Sequence, residues 1–381
     1  MTALDLLTGD AQTFVEKVWA HSVLLHRTDP GSLVGLLSLD DADRLLTSSA
    51  IRTPAIRVAR DGAVLPESGY TRRGATMAGK PITGLVDSRS ILRQFNSGAT
   101  IVFQGLHRYW SPLTDLVAAL EAELGHPCQA NAYLTPPGAQ GFAVHADTHD
   151  VFVFQTAGTK QWQIHPVGAD GKRYEEQVLC EPGLSMYLPT GTPHAARAQD
   201  EVSLHVTIGI NQLTWRAVTR QTVTALLDAV DDEHLPAGYL DDPSVLAGGL
   251  ADRLSRLADD VRALDADRAA QDHIAGFLSS RNSRLRGGLL DLVAVRSMTG
   301  ATRLRRRPGS PCTVTDDPAA PGRIVLLLGD RKISVPARLR PAVDQVASAD
   351  DLTPHDLPID PQSGLVLCRR LVREGLLEVV G

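Results

Sequence analysis

Hydrophobic positions along this chain change their period several times, and each change predicts a different kind of structure. Near the amino end, DAQTFVEKVWAHSVLLHR puts Phe14, Val18 and Trp19 on one side of a helix, and SLDDADRLLTSS predicts a shorter helix capped by Ser38. AIRVARDG then reads as a strand entering a turn. From about Gly98 the pattern becomes short apolar runs separated by turns. GATIVFQGL predicts a strand, and SPLTDLVAALEAELG a helix with Pro112 near its start and Gly125 at its end. NAYLTPP, GFAVH, DVFVFQTAG, KQWQIHP, EPGLSMYLPTGTPH and EVSLHVTIGI follow with Gly/Pro turns and no long helix between them. Short strands in that sequence predict an antiparallel barrel or sandwich.

After Gln212 the period is helical again. LTWRAVTRQTVTALLDAV, ADRLSRLADDVRALDADRAAQDHIAGFLSSRNS and LLDLVAVRSM predict helices, spaced by the turn-rich DDEHLPAGYLDDPSVLAGG. Their apolar faces exceed what one short stack can cover, which points to a subunit contact and a homodimer, with a monomeric helical cap as the alternative. The last sixty residues predict a hairpin (GRIVLLLGDRKISVP, around a Gly-Asp turn), two helices (ARLRPAVDQVAS and DPQSGLVLCRRLVREG) and a closing strand (LLEVVG). Helices with a small hairpin resemble a winged helix. The expected division is therefore a mainly β catalytic domain with a helical lead-in over 1–212, a helical dimerisation domain over 213–310 and a winged-helix-like domain over 311–381.

A length of 381 residues agrees with two or three domains, and 43% apolar residues are enough to fill their cores. The net charge of -6 argues against a surface built wholly for nucleic acid. From Arg323 to Gly375 eight Lys/Arg stand against seven Asp/Glu, so the winged-helix-like segment lacks a basic stripe and direct nucleic-acid binding is not expected. The cysteines Cys128, Cys180, Cys312 and Cys368 are dispersed, as in reduced cytoplasmic proteins. An acidic start, MTALDLLTGD, and the lack of a long uninterrupted apolar run complete the expectation of a cytoplasmic protein without a membrane span.

The chemistry concentrates in the strand-rich block. GFAVHADTHD carries His145 and Asp147, and 47 residues beyond the aspartate LPTGTPHAA carries His194. Two residues apart on a strand, His145 and Asp147 would face the same way, and the Pro-Thr-Gly-Thr-Pro turn would hold His194 at a rim beside them. Two imidazoles and one carboxylate leave three adjacent positions of an octahedral metal open, a set suited to non-haem Fe(II). His149, His165 and His205 compete for the role, but each alone more often serves as a surface or hydrogen-bonded histidine. His145, Asp147 and His194 are therefore the expected metal ligands and catalytic set.

A ferrous oxygenase needs electrons, and no flavin or haem motif is visible. The economical source is 2-oxoglutarate as co-substrate, chelating iron through its 1-carboxylate and keto oxygen. Its distal carboxylate then needs a buried cation. Lys160 opens a strand directly after a turn and shares a face with Trp162 and Ile164, which makes sense if that face is a cavity holding an anion. A hydroxyl from Thr207 and the phenol of Tyr133 are candidates to complete the pocket.

The run NAYLTPPGAQGFAVHADTHDVFVFQTAGTKQWQIHP, with EPGLSMYLPTGTPHAA and SLHVTIGI after it, resembles the JmjC-type ribosomal oxygenases, cupin-like 2-oxoglutarate enzymes that hydroxylate ribosomal proteins. The resemblance extends over almost the whole chain. It implies a double-stranded β-helix (jelly roll), iron held by His145, Asp147 and His194, and a salt bridge from Lys160 to 2-oxoglutarate. It further implies that Asn131, Tyr133 and Thr207 surround co-substrate or substrate. The implied reaction couples decarboxylation of 2-oxoglutarate to succinate with hydroxylation of an unactivated C–H in a ribosomal protein. A lysine at this position resembles the histidine-directed branch more than the arginine-directed one, although DTHD stands where many histidine-directed relatives are more acidic. The alternatives are the same chemistry on a small molecule or an N-methyl-lysine, or a cupin with a winged helix acting as a DNA-binding regulator.

Overall fold

The computed structural model of the chain describes residues 2–74, 76–139, 143–168, 170–282, 285–317, 319–349 and 351–380. It divides into two compact units, Met1–Gln212 and Leu213–Gly381.

In the first unit the strands are β1 (Leu24–Arg27), β2 (Ile56–Arg60), β3 (Ala63–Val64), β4 (Thr76–Met77), β5 (Lys80–Pro81), β6 (Thr100–Phe103) and β7 (Cys128–Thr135). They continue as β8 (Asp150–Ala157), β9 (Lys160–Ile164), β10 (Glu176–Cys180), β11 (Leu184–Leu188), β12 (His194–Ala198) and β13 (Ser203–Ile210). Eight of them form one sheet in the order β1-β11-β8-β13-β7-β6-β2-β3, and β10-β9-β12 form a second; every pairing is antiparallel.

The side-chain period of two explains how these sheets are covered. On β8 and β11 one set of residues, Phe152, Phe154 and Tyr187, packs into a core with Leu4, Leu7, Phe14 and the helical lead-in. The alternate set, Val151, Val153, Met186 and Leu188, packs against Trp162, Ile164 and Val178 of the small sheet. The large sheet is therefore buried on both faces. That is why its central strands read as nearly continuous apolar runs while β9, on the small sheet, alternates buried and half-buried residues.

The lead-in departs from the periodic reading. Asp10 caps a short helix over Ala11–Thr13, which widens into a π-helical turn over Phe14–Val18 and stops, and Leu24–Arg27 becomes β1. Pairing with the edge of β11 claims the segment that periodicity gave to a helix. Phe14 nevertheless faces the core, 4.9 Å from the Tyr187 ring. The Ser38 cap is present as a capping box with Asp41, and Gly125 ends the helix Ser111–Leu124 in a left-handed conformation. In GFAVH, Gly141 and Phe142 lie outside the described residues, and 143–145 form no strand beyond one bridge from His145 to His194.

In the second unit, helices run over Trp215–Asp228, Pro243–Arg262, Ala266–Ser279 and Gly288–Ala294. The PSVLAGG stretch, expected as turn, is helical because Asp242 caps it and Pro243 opens it, and Asp265 caps a fresh start that divides the long run in two. Ser283 and Gly381, at the ends of two predicted elements, lie outside the described residues. None of the described residues of the first three helices is buried. Beyond them lie β14 (Leu304–Arg306), β15 (Thr313–Asp316), β16 (Arg323–Leu327), β17 (Lys332–Pro336), β18 (Asp351–Leu352) and β19 (Leu377–Val379), in two three-stranded sheets. They share a core with the helices Arg340–Ser348 and Pro361–Arg373, and β16 and β17 make the hairpin read from Gly329 and Asp330. No described helix is long and apolar enough to cross a membrane.

Candidate metal centre

Two segments meet at one rim of the first unit. His145 and Asp147 precede β8, and His194 opens β12. Backbone bonds in both directions join them: the His145 N–H donates to the His194 carbonyl at 3.0 Å and the His194 N–H to the His145 carbonyl at 2.8 Å. The Gly191 N–H donates to the Asp147 carbonyl at 2.9 Å, tying the turn before His194 to the aspartate. The single bridge thus does what sequence reasoning assigned to a continuous strand. It fixes both histidines relative to each other while leaving the intervening chain free to point Asp147 at them.

The ligand atoms of His145, Asp147 and His194 lie within 4.8 Å of one another, and this is the one such group among the described residues. His145 Nδ1 lies 2.8 Å from the Ala143 carbonyl and His194 Nδ1 lies 2.9 Å from the Thr192 carbonyl. A carbonyl accepts only, so each imidazole donates from Nδ1, and in the neutral tautomer this leaves the Nε2 lone pair for a cation. His194 Nε2 and Asp147 Oδ2 are 3.7 Å apart. Burial pushes the His194 imidazole below its ordinary value, which favours the neutral, ligating form. The donor set fits a divalent metal on the chemistry of its tautomers as well as its spacing.

The turn carrying His194 has a second anchor in Asp150, which is 1% exposed. Its carboxylate accepts from the Thr190 N–H and hydroxyl, both at 2.7 Å, from the Tyr187 hydroxyl at 2.5 Å and from the Gln212 side-chain amide. No motif announced this aspartate; an acidic residue opening an apolar strand was its only signal.

A cavity extends from the three ligands between the sheets, with ≈ 570 Å³ of empty space counted out to its open mouth. Tyr133, Lys160, Trp162, His205, Thr207 and Thr100 line it. Lys160 is 3% exposed, and its Nζ donates to Thr135 Oγ1 at 3.0 Å; Thr135 in turn meets Thr100 Oγ1 at 3.2 Å. Among the described residues Lys160 meets no carboxylate. Burial lowers its ammonium to about 7, against 10.5 for a free lysine. The turn that delivers Lys160 depends on Gly158, at φ +61°, where an added Cβ would lie 1.9 Å from the Val202 carbonyl oxygen.

Tyr133 and Thr207 therefore stand on the cavity wall together with Lys160. Asn131 does not line it: its Oδ1 accepts from the Gly105 N–H at 2.9 Å and holds the loop after β6. Of the rival histidines, His149 approaches Gly209, His165 caps the far end of β9, and His205 lies in the cavity wall. Thr135 and His205 were missed. The alternation of NAYLT already puts Thr135 on the face of Tyr133, and SLHVT puts His205 on that of Thr207.

Residues 110–218 match the family described as JmjC domain. A ribosomal oxygenase from Escherichia coli, YcfD, solved with cobalt and 2-oxoglutarate, superposes with a TM-score of 0.53 at 18% identity over 98% of this chain and 99% of that one. An antiparallel sheet core carrying two histidines and a carboxylate at its rim, with helices toward the carboxyl end, makes this a JmjC, cupin-like fold. Ribosomal oxygenase 1 of Gallus gallus is 26% identical over 243 residues, 59% of this chain and 39% of that protein. The NO66 bifunctional lysine-specific demethylase and histidyl-hydroxylase of Branchiostoma floridae is 34% identical over 156 residues, 39% of this chain and 24% of that protein. The chain thus carries a match to the JmjC domain over residues 110–218 and is similar to ribosomal oxygenases over rather more than half of its length. It spans about two-fifths of the length of the ribosomal oxygenase 1 proteins it matches.

Proposed function

We propose that the protein is an Fe(II)- and 2-oxoglutarate-dependent dioxygenase that hydroxylates a histidine or arginine side chain of a ribosomal protein. The observation that carries this reading is the pairing of a two-imidazole, one-carboxylate cluster with a buried lysine that meets no carboxylate among the described residues, on the walls of one cavity. A buried ammonium without a counter-ion is costly, and an anionic co-substrate removes that cost.

In this reading His145, Asp147 and His194 hold the metal, Lys160 and Thr135 receive the distal carboxylate, and Tyr133 and Thr207 line the space beside it. Bound Fe(II) with 2-oxoglutarate supplies the oxidising power for C–H hydroxylation. The protein's own part is to orient the co-substrate by the Lys160 ammonium, to hold both imidazoles with Nε2 toward the metal through the carbonyl partners of Nδ1, and to exclude water with Trp162 and the sheet interior. The finer architecture belongs to the same proposal: a double-stranded β-helix over 1–212, a helical dimerisation domain over 213–310, a winged-helix-like domain over 311–381, a homodimer and a cytoplasmic location. Exposed Trp215, Leu240, Leu289 and Leu290 on the helical segment support a covered face there.

The test is intact mass spectrometry of ribosomal proteins incubated with enzyme, Fe(II), 2-oxoglutarate and oxygen. A gain of about 16 Da on one protein, the mass of one inserted oxygen, supports the reading. A loss of methyl groups, or turnover on metabolites alone, would contradict it.

A further inference from the structure

One polar side chain in the cavity wall has no task in the account above. His205 is 3% exposed on β13, and its Nδ1 is buried without a hydrogen-bond partner. Its ring is held rigidly. Tyr133 stacks on it with centroids 4.8 Å apart and planes 3° from parallel, and Trp162 meets it edge-on at 5.5 Å. Such a ring is in effect a fixed strut with a polar tip.

The register sets His205 close to the residues around Lys160. His205 lies opposite Tyr133, and two residues away on the same face Ser203 lies opposite Thr135, which receives the Lys160 ammonium. His205 and Lys160 thus line the same cavity. Across the other edge of β13, Gln155 faces His205, and its Oε1 is also buried without a partner. A neutral imidazole has one N–H to give and one lone pair to fill. Burial, with the Lys160 ammonium adding to it, keeps the ring neutral, and its one N–H calls for an acceptor.

We propose that His205 is a second hydrogen-bond donor to the distal carboxylate of the 2-oxo dicarboxylic acid, in addition to Lys160. This rests on the function proposed above and adds a specificity determinant to it. One carboxylate then satisfies two buried groups at once. A 2-oxo acid that ends in a methyl group satisfies neither, so His205 helps select a dicarboxylate.

The test is calorimetric titration of the Mn(II)-loaded full chain, wild type and variants, with 2-oxoglutarate and with 2-oxovalerate. His205→Phe keeps the stacked ring but cannot donate, and His205→Gln keeps a donor. The expected result is 2-oxoglutarate binding weakened tenfold or more in H205F and less than threefold in H205Q, with 2-oxovalerate unaffected by either. In the wild type, the ¹⁵N resonances of the His205 ring should shift on adding 2-oxoglutarate and not on adding 2-oxovalerate, which settles the matter even if H205F folds poorly. Wild-type binding with unshifted His205 resonances, or equal affinity in H205F, overturns the role of His205 and leaves the function standing. No wild-type binding of 2-oxoglutarate overturns the function itself.

Discussion

The role proposed for Lys160 makes co-substrate binding a proton-linked event. Its ammonium is buried, bonded to Thr135 and without a carboxylate among the described residues, and burial brings it to about 7. In the free protein it is therefore half charged near neutrality and mostly neutral at pH 9. A bound distal carboxylate holds the lysine charged, so above pH 7 binding must take up a proton. With a free-state value near 7, the charged fraction falls from about one half at pH 7 to about one hundredth at pH 9. Affinity should fall by roughly 50-fold, about 2.3 kcal/mol. Other groups around the lysine do not confuse the signal: burial pushes the Cys180 thiol up to about 12, the Tyr133 phenol above its usual value and the His205 imidazole well below, so none gains or loses a proton in this window.

Calorimetric titration of 2-oxoglutarate into Mn(II)-loaded protein, in two buffers of different ionisation enthalpy, reads both the affinity and the protons taken up. Uptake should approach one proton per site at pH 8.5 and vanish in Lys160→Met, whose weaker binding should be flat with pH. The ligand-free fold carries the opposite signature. Because the folded pKa is depressed, the unfolded chain binds more protons between about pH 7 and 10.5, and stability rises across that window by at most ~1.4 kcal/mol per pH unit. Affinity that changes less than threefold between pH 7 and 9, with no proton uptake, would refute the burial argument.

Thr135→Val removes the oxygen that holds the Lys160 ammonium and should weaken 2-oxoglutarate binding by about 1–1.5 kcal/mol, roughly tenfold, in the same titration. Asp150→Ala leaves the Tyr187 hydroxyl and the Thr190 N–H unpaired in a buried site and should lower stability by about 2–4 kcal/mol in urea unfolding; a change under half of that would show the turn holds without it. Gly158→Ala forces a methyl onto the Val202 carbonyl from a left-handed backbone and should cost about 2–4 kcal/mol, whereas Gly171→Ala, where nothing lies within 4 Å of the added Cβ, should cost about 1–2 kcal/mol for the backbone alone. His194→Ala should abolish retention of one divalent metal per chain after gel filtration, read by elemental analysis, while His149→Ala retains it.

The candidate metal ligands were legible because their chemistry is local: HxD and a histidine after a Pro-Gly turn narrow the choice before any contact is known. The class of fold was legible for a similar reason, since short apolar strands with Gly/Pro punctuation recur from β7 to β13. What the pattern could not carry was competition between chain segments. Periodicity assigns Leu24–Arg27 to a helix, and only the open edge of β11 turns it into a strand. Likewise a Gly-Gly pair reads as turn in PSVLAGG, yet a cap at Asp242 carries the helix through it. In the site, Lys160 was found from its face, while Thr135 and His205 needed the cross-strand register that sets them beside it. Asn131 shows the converse: it shares the Tyr133 face in the alternation, but the loop at Gly105 takes its side chain.

The central claim is that His145, Asp147 and His194 hold one ferrous ion and leave adjacent positions on it for a 2-oxo acid. Anaerobic optical titration tests it most directly, because a 2-oxo acid chelated to Fe(II) produces a visible charge-transfer band that neither component gives alone. The account predicts that band with 2-oxoglutarate at one equivalent of iron, none with succinate, and none in Asp147→Ala or His194→Ala. A band that survives both substitutions, or that never forms in the iron-loaded wild type, would contradict it.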